Sequence, residues 1–207
     1  MKNFETYLDD IKKIALEEGY DSLDETFVAH LKARYFGEDV IIGESENILL
    51  REMKLSDLEA FEQFEAAGGE EVLQAFLKET KEASREHLQA YIETMYPLYD
   101  HGIWTVVSKD TGEIVGMCGI GMTVLEGTEY KDLGYYICPK WRRQGIASQG
   151  IEIVLDYAKN YLEFTMIYAI IKEENRISRD VLRKFGFCYM KSCDRSGDFV
   201  SVYKKEF

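Results

Sequence analysis

Apolar positions first recur at helical spacing. Phe4, Leu8, Ile11, Ile14 and Ala15 mark one amphipathic stretch, with Gly19 as its stop. Ser22-Leu23-Asp24-Glu25 has the form of a capping box, and Phe27, Leu31, Arg34 and Tyr35 carry a second helix towards Gly37. Helices this short bury little by themselves. Residues 1–46 are therefore expected to form a helical extension that packs on the rest of the chain or on a partner.

From residue 47 the pattern changes. Residues 47–53 (Asn-Ile-Leu-Leu-Arg-Glu-Met) read as a strand, and Ser56-Asp57-Leu58-Glu59 opens a helix through Phe61 and Phe64 that stops at Gly68-Gly69. A helical pattern returns over 70–96, with Val72, Phe76, Leu88, Tyr91 and Ile92 on its packed face. Two strands, 102–108 and 113–122, flank the turn residues Asp110-Thr111-Gly112. Glycines 116, 119 and 121 point to a bulge or a close backbone approach. A loop holding Glu126, Gly127 and Glu129 leads to a strand over 132–138. A helix over 148–162 follows, with Ile151, Val154, Leu155, Ala158 and Leu162 on one face. Residues 166–171 form a continuous apolar run suited to a buried parallel strand. A short helix over 175–185 turns Ile177, Val181, Leu182 and Phe185 inward and ends at Gly186. Two final strands, 188–193 and 199–203, join through Ser196-Gly197-Asp198. The centre is a strand–helix–strand crossover between parallel strands, in a mixed sheet with helices on both faces.

One junction in this series carries chemistry. Tyr135-Tyr136-Ile137-Cys138-Pro139-Lys140-Trp141-Arg142-Arg143-Gln144-Gly145-Ile146-Ala147-Ser148 begins as a strand and ends in a small-residue, basic turn that opens a helix. Backbone N–H groups at a helix N-terminus have no partner within the helix, and the dipole adds about half a positive charge there. That arrangement suits phosphate oxygens. Gly145 permits close approach or positive φ, Ala147 keeps the first turn free of bulk, and Arg142 and Arg143 add fixed charge.

Composition narrows the partners. The net charge of −13 disfavours nucleic acid, which needs a basic surface, and favours cationic ligands. Against that acidic total, the basic turn stands out as a local anion site. No apolar run approaches the ~20 residues that span a bilayer, and the N-terminus lacks a signal-peptide core, so a cytoplasmic protein without membrane contact is expected. Cys118, Cys138, Cys188 and Cys193 form no C-x-x-C pair, and the histidines do not cluster with them, so no metal is expected. The cysteines read as small buried hydrophobes. Cys138 as a thioester nucleophile remains open, with no histidine nearby in sequence to activate it.

Arg142-Arg143-Gln144-Gly145-Ile146-Ala147, followed by Asn175-Arg176-Ile177-Ser178 and Lys184-Phe185-Gly186-Phe187, resembles the GNAT N-acetyltransferases. Gly134-Tyr135-Tyr136 with Asn-x-x-Ser is most similar to the RimJ/RimL-like, ribosomal-protein N-terminal branch. The resemblance covers residues 47–207, giving an acetyltransferase domain there and an N-terminal helical extension over 1–46. It implies an α/β (α+β) fold, with a mixed, mostly antiparallel twisted sheet around the central parallel crossover. It also implies acetyl-CoA as cosubstrate. Residues 143–148, with Arg142, would hold the pyrophosphate. The strand edge at Tyr135, Tyr136 and Ile137 would hydrogen-bond the pantetheine arm as an added strand would, and its amides would stabilise the oxyanion of the reaction. Asn175 and Ser178 match positions that contact the arm and the sulfur, and Asn175 reads equally as a plain helix cap.

Aminolysis of a thioester needs a neutral amine, whereas an alkylammonium has a pKa near 10. A carboxylate, directly or through water, would take that proton. Asp132 stands where this branch carries a glutamate before its Gly-Tyr pair, with Glu126 and Glu129 as alternatives. The family's usual acid is a tyrosine in the helix before Gly186; Leu182 stands in that place here, and Ser178 is the substitute the branch suggests. A thiolate with a pKa near 8.5 can also leave unaided. Trp104, Tyr91 and Tyr96 read as core more readily than as pocket walls, and His87 and His101 as solvated or capped. Three readings follow. The first is acetyl transfer to a primary amine by direct attack, with a protein N-terminus, a polyamine or an aminosugar as acceptor. The second is a non-catalytic acyl-CoA-binding regulatory module. In the third, residues 1–46 serve as an arm for a homodimer or another partner.

Overall fold

A computed structural model of the protein describes residues 3–17, 21–66, 81–195 and 197–207. Expectations for Gly19, Gly68-Gly69, Val72, Phe76 and Ser196 lie outside the described residues. The chain divides into two compact units, Met1–Ile41 and Ile42–Phe207.

The first unit holds helices α1 (Phe4–Glu17) and α2 (Glu25–Phe36). Aromatic rings join them: Phe4 meets Tyr35 edge-on at 5.3 Å and Tyr7 stacks on Tyr35 at 5.6 Å. The cap of α2 is Asp24 rather than Ser22, with its carboxylate accepting from the amides of Thr26 and Phe27. Asp is the stronger acceptor, and it sits where the orphan amides point. At the other end Gly37, at φ 72°, lets Glu38 donate back to Ala33.

In the second unit, one sheet runs in the order β1-β2-β3-β4-β5-β6-β8-β7. The strands are β1 (Ile41–Glu44), β2 (Ile48–Arg51), β3 (Ile103–Ser108), β4 (Ile114–Leu125), β5 (Thr128–Ile137), β6 (Met166–Lys172), β7 (Cys188–Arg195) and β8 (Asp198–Glu206). Helices α3 (Leu58–Ala66), α4 (Lys81–Tyr99), α5 (Ile146–Asn160) and α6 (Arg176–Lys184) complete the described elements. β5 and β6 are parallel and joined by α5, whereas β2–β3, β3–β4, β4–β5, β6–β8 and β7–β8 are antiparallel. The expected mixed, mostly antiparallel α/β fold is present.

Cross-strand register shows which helix covers which face. Trp104, Cys118 and Tyr135 are neighbours across β3, β4 and β5. Trp104 packs edge-on against Tyr157 of α5 at 5.2 Å, and a Cβ on Gly150 of α5 would meet Cys118 at 3.4 Å. The adjacent row, Thr105, Met117 and Tyr136, points the other way. There the Tyr136 ring meets Phe64 of α3 at 5.6 Å. Backbones crowd between the rows. A side chain on Gly116 would lie 2.2 Å from the Tyr136 carbonyl, and one on Gly119 2.1 Å from that of Gly102, so both positions need glycine.

A buried ion pair ties β2 to the approach to α3. Arg51 grips Asp57 bidentately at 2.8 Å, and the same carboxylate accepts from Thr105 Oγ1 at 2.7 Å and the Lys54 amide at 3.0 Å. This is why the turn before α3 (Leu55–Asp57) is not capped by Ser56 as expected: Asp57 is committed to the interior. Tyr96 and Trp104 are core residues, and Tyr91 spends its hydroxyl on the Ile103 amide.

Several expectations are corrected. β1 lies in a stretch read as part of the helical extension. The loop after residue 122 is instead a long hairpin, with β4 and β5 paired to its tip. Glu126 and Gly127, at φ 51° and 76°, form the two-residue turn. Ile177 is 80% exposed rather than inward. Cys188 is exposed, although Cys118 and Cys193 are buried as expected. His101, read as solvated or capped, is buried, which overturns the solvated reading alone; its Nδ1 has no hydrogen-bond partner, and burial pushes its pKa below the ordinary value.

Candidate active site

The site grows from the free side of β5. β4 and β5 pair from Gly116 opposite Ile137 to Leu125 opposite Thr128, whereas β5 and β6 share a single register pair, Asp132 opposite Tyr168. The Cys138 amide donates to Val115 on the β4 side. Backbone groups alternate in direction along a strand, so those of Tyr135 and Ile137 face the gap towards β6. Arg142 Nε donates to the Ile137 carbonyl at 2.8 Å, and its guanidinium lies 5.5 Å from the Tyr136 ring centroid. The Tyr135 amide and carbonyl and the Ile137 amide thus form a short strand edge without a partner strand. An extended amide chain would add to that edge.

At the end of β5 a single turn, Pro139–Trp141, redirects the chain into α5. Arg143 (φ 64°) and Gly145 (φ 79°) both take the left-handed conformation, on either side of Gln144. Gly145 occupies the cap position of α5, and no side chain caps the helix. The amides of Ile146, Ala147 and Ser148 therefore have no intrahelical partner and no side-chain cap, and successive amides in such a turn can form a concave anion seat. Ile146 anchors the first turn in the core, while Ala147 and Ser148 present little bulk. Gln144 Nε2 reaches back to the Lys140 carbonyl at 3.2 Å. Lys140 is paired with Glu113, but Arg143 is exposed and makes no ion pair among the described residues. Gln149 Oε1 accepts from Ser45 Oγ at 2.6 Å, anchoring the first helical turn to the β1–β2 connection.

The second motif closes the gap from the β6 side. Asn175 caps α6, its Oδ1 accepting from the Ser178 amide at 3.0 Å, so the plain capping role is present. Ser178 Oγ in turn accepts a hydrogen bond from the Tyr135 hydroxyl at 3.1 Å. Leu182 is fully buried.

Asp132 lies on the α3 face of β5, opposite Gly121, whose missing side chain leaves it room: a Cβ there would sit 3.4 Å from Oδ1. Oδ1 is buried without a hydrogen-bond partner. Burial raises the carboxyl above its ordinary value, while the Thr123 side chain and the charge of Arg195 pull the other way. The two alternatives differ. Glu126 is engaged by Lys191 Nζ at 2.5 Å at the hairpin tip, and Glu129 is exposed. The structure brings Tyr135, Tyr136, Ile137 and residues 142–148 together around one strand end, and Tyr135 links them to Ser178. It does not join Asp132 to Ser178 by any hydrogen bond among the described residues.

The acetyltransferase (GNAT) domain model matches residues 47–188. The chain belongs to the GNAT acetyltransferase family. It is 31% identical over 149 residues to the uncharacterized N-acetyltransferase YoaA of Bacillus subtilis (strain 168), covering 70% of this chain and 82% of YoaA. With the uncharacterized protein YkkB of the same organism it shares 29% over 108 residues, 52% of this chain, and spans 63% of YkkB's length. Among solved structures, a putative GNAT-family acetyltransferase from Bordetella pertussis superposes with a TM-score of 0.69 at 14% identity, covering 80% of this chain and 98% of that one. RimL, a ribosomal L7/L12 alpha-N-protein acetyltransferase solved in complex with coenzyme A, gives 0.63 at 21%, covering 80% and 97%. The β5–α5–β6 crossover lies within the residues matched by the family model. Among the described residues no cluster of metal-ligating side chains and no helix long and apolar enough to cross a membrane is found.

Sequence reasoning missed two neighbours of Asp132 and one contact within the site. Thr123 and Arg195 come to Asp132 through the long hairpin and β7, and nothing local marks them. The Tyr135–Ser178 contact joins residues 43 apart. Only the two-residue hairpin had a readable signal, a glycine flanked by alternating apolar runs.

Proposed function

We propose that this GNAT protein transfers an acetyl group from acetyl-CoA to a primary amine by direct attack. One observation carries the reading: the uncapped, doubly left-handed turn at the head of α5 lies at the end of the strand whose β6 side is open. An anion seat and an amide-pairing edge therefore run on from one another, as a nucleotide with an amide arm requires. The seat would use the amides of 143–148 with Arg142 and Arg143, the edge those of Tyr135 and Ile137, and Asn175 and Ser178 would meet the arm from the β6 side. RimL, bound to coenzyme A in its own structure, lends support through the shared fold.

Asp132 would take the proton of the incoming ammonium, directly or through one water, and its raised pKa makes it a better base than an exposed carboxylate. The amine nitrogen then bonds to the carbonyl carbon as the C–S bond breaks. The electron pair leaves on sulfur, the second amine proton passes to solvent, and Ser178 donates a hydrogen bond to the departing thiolate. The net charge of −13 favours a cationic acceptor: a protein N-terminus, as for RimL, a ribosomal L7/L12 alpha-N-protein acetyltransferase, a polyamine or an aminosugar. Residues 47–207 would be the acetyltransferase domain, with β1 before it completing the sheet, and the helices α1 and α2 an extension for docking, including a homodimer. Four unpaired cysteines suit a reducing cytoplasm.

Coenzyme A release measured across an amine panel tests the reading. Turnover with at least one amine is expected. Tight acetyl-CoA binding with no turnover on any amine would leave the regulatory-module reading, which the buried Leu182 in place of a tyrosine favours.

A further inference from the structure

We propose that Tyr135 is a positioning residue that orients the Ser178 hydroxyl towards the sulfur of the bound thioester. The inference rests on the proposed use of acetyl-CoA but concerns side chains that the motif comparison leaves unconnected.

A serine hydroxyl has one proton and two lone pairs. Tyr135 donates to Ser178 Oγ at 3.1 Å across the gap where β5 and β6 share one register pair. With a lone pair so occupied, the Ser178 proton cannot point back along the same line and is turned towards other acceptors. The donor is held in that role: burial raises the Tyr135 phenol, so it stays protonated wherever the amine reaction runs. The Ser178 backbone is fixed as well, through its amide bond to Asn175 Oδ1. Serine oxygen, tyrosine hydroxyl and helix cap therefore form one chain, with the serine proton as its only movable end. No proton passes from Tyr135; the thiolate takes its proton from solvent after it leaves. Leu182, fully buried, offers no hydroxyl from the same helix, so the polar contact with sulfur falls to this pair.

Titrating the thiol of bound coenzyme A by its ultraviolet absorbance tests this without any acceptor. In Tyr135→Phe, which keeps the ring and loses the donor, the bound thiol is expected to titrate about one pH unit higher. The variant's kcat with a working amine is expected to fall about tenfold, with the KM for acetyl-CoA changed less than about twofold. In a Ser178→Ala background the same substitution should add nothing, because the group it orients is gone. An unchanged thiol titration, or an equal effect of Tyr135→Phe with and without Ser178, overturns the proposal. Should Tyr135→Phe fail to fold, Ser178→Ala carries the test alone: it must raise the thiol titration, and no change overturns the proposal. Failure of the wild type to bind coenzyme A would overturn both this inference and the proposed function. Binding with an unresponsive thiol would overturn this inference only.

Discussion

Gly145→Ala probes the anion seat through a single torsion. Gly145 sits at φ 79°, and an added Cβ would meet nothing closer than Gln149 Nε2 at 3.7 Å. Alanine therefore fits the space, and its cost is purely conformational, about 1–2 kcal/mol for an L-residue in the left-handed region. That strain has two outlets. If the turn holds its shape, the strain appears as lost stability, a melting temperature lower by about 2–8 °C for a domain of this size. If the turn relaxes, the amides of 146–148 no longer converge, and coenzyme A binding weakens by about 5–30-fold. Calorimetric titration and thermal melting on the same sample read both outlets, and the two losses together should come to about 1–2 kcal/mol. Pantetheine, which has no pyrophosphate, should bind the variant and wild type alike. Unchanged melting with unchanged coenzyme A affinity would refute the geometric argument. So would equal losses for pantetheine and coenzyme A, since the seat would then not be reading phosphate.

Three further outcomes follow from the same geometry. Arg143→Gly should release the strain of a side chain at φ 64°, raising stability by about 1 kcal/mol, while coenzyme A affinity falls about fivefold and loses part of its salt dependence; melting and titration at two ionic strengths check it. Asp57→Ala strands the buried Arg51 and leaves Thr105 and the Lys54 amide without their acceptor, so it should cost about 3–5 kcal/mol, a urea midpoint lower by about 2 M; a loss under about 1 kcal/mol would contradict the role of that pair. Asp132→Asn should abolish most turnover while keeping acetyl-CoA affinity, and its stability should depend on pH in a defined sense. Because burial raises the Asp132 carboxyl in the folded state, the wild type binds a proton more readily folded than unfolded. Its contribution is therefore full below the unfolded value and is lost as pH rises through the folded one. The asparagine variant should gain stability over wild type at neutral pH and lose that advantage in acid, a difference that melting curves between about pH 3 and 8 would show.

Much of the fold was legible because each element obeys its local period. Ile151, Val154 and Ala158 recur at helical spacing and are buried in α5, and the continuous apolar run over 166–171 lies in β6, the strand parallel to β5. The turn proposed to seat phosphate was legible for a related reason. A strand end, a glycine and a small-residue helix start are contiguous, so chain connectivity alone assembles the proposed seat. β1 was missed because a four-residue strand carries too few positions to show a period. In sequence the hairpin looks like a loop because Glu126 occupies a left-handed position usually held by asparagine or aspartate. Ile177 was misplaced because its spacing with Val181 suits an inward face, yet the first turn of α6 extends beyond the core.

The sequence by itself determined most of the elements, their order and the contiguous turn that the proposed anion seat would use. Only the tertiary structure decided how distant residues meet. The opening between β5 and β6 depends on where two parallel strands cease to pair, which is a property of sheet twist and crossover packing rather than of either strand. The raised carboxyl of Asp132 depends on its burial opposite a glycine across the hairpin, against the opposing charge of an arginine from β7. The orientation of Ser178 depends on a tyrosine 43 residues away. Burial and hydrogen bonding are set by three-dimensional neighbours, so the protonation and direction of these groups become readable only once the sheet is assembled.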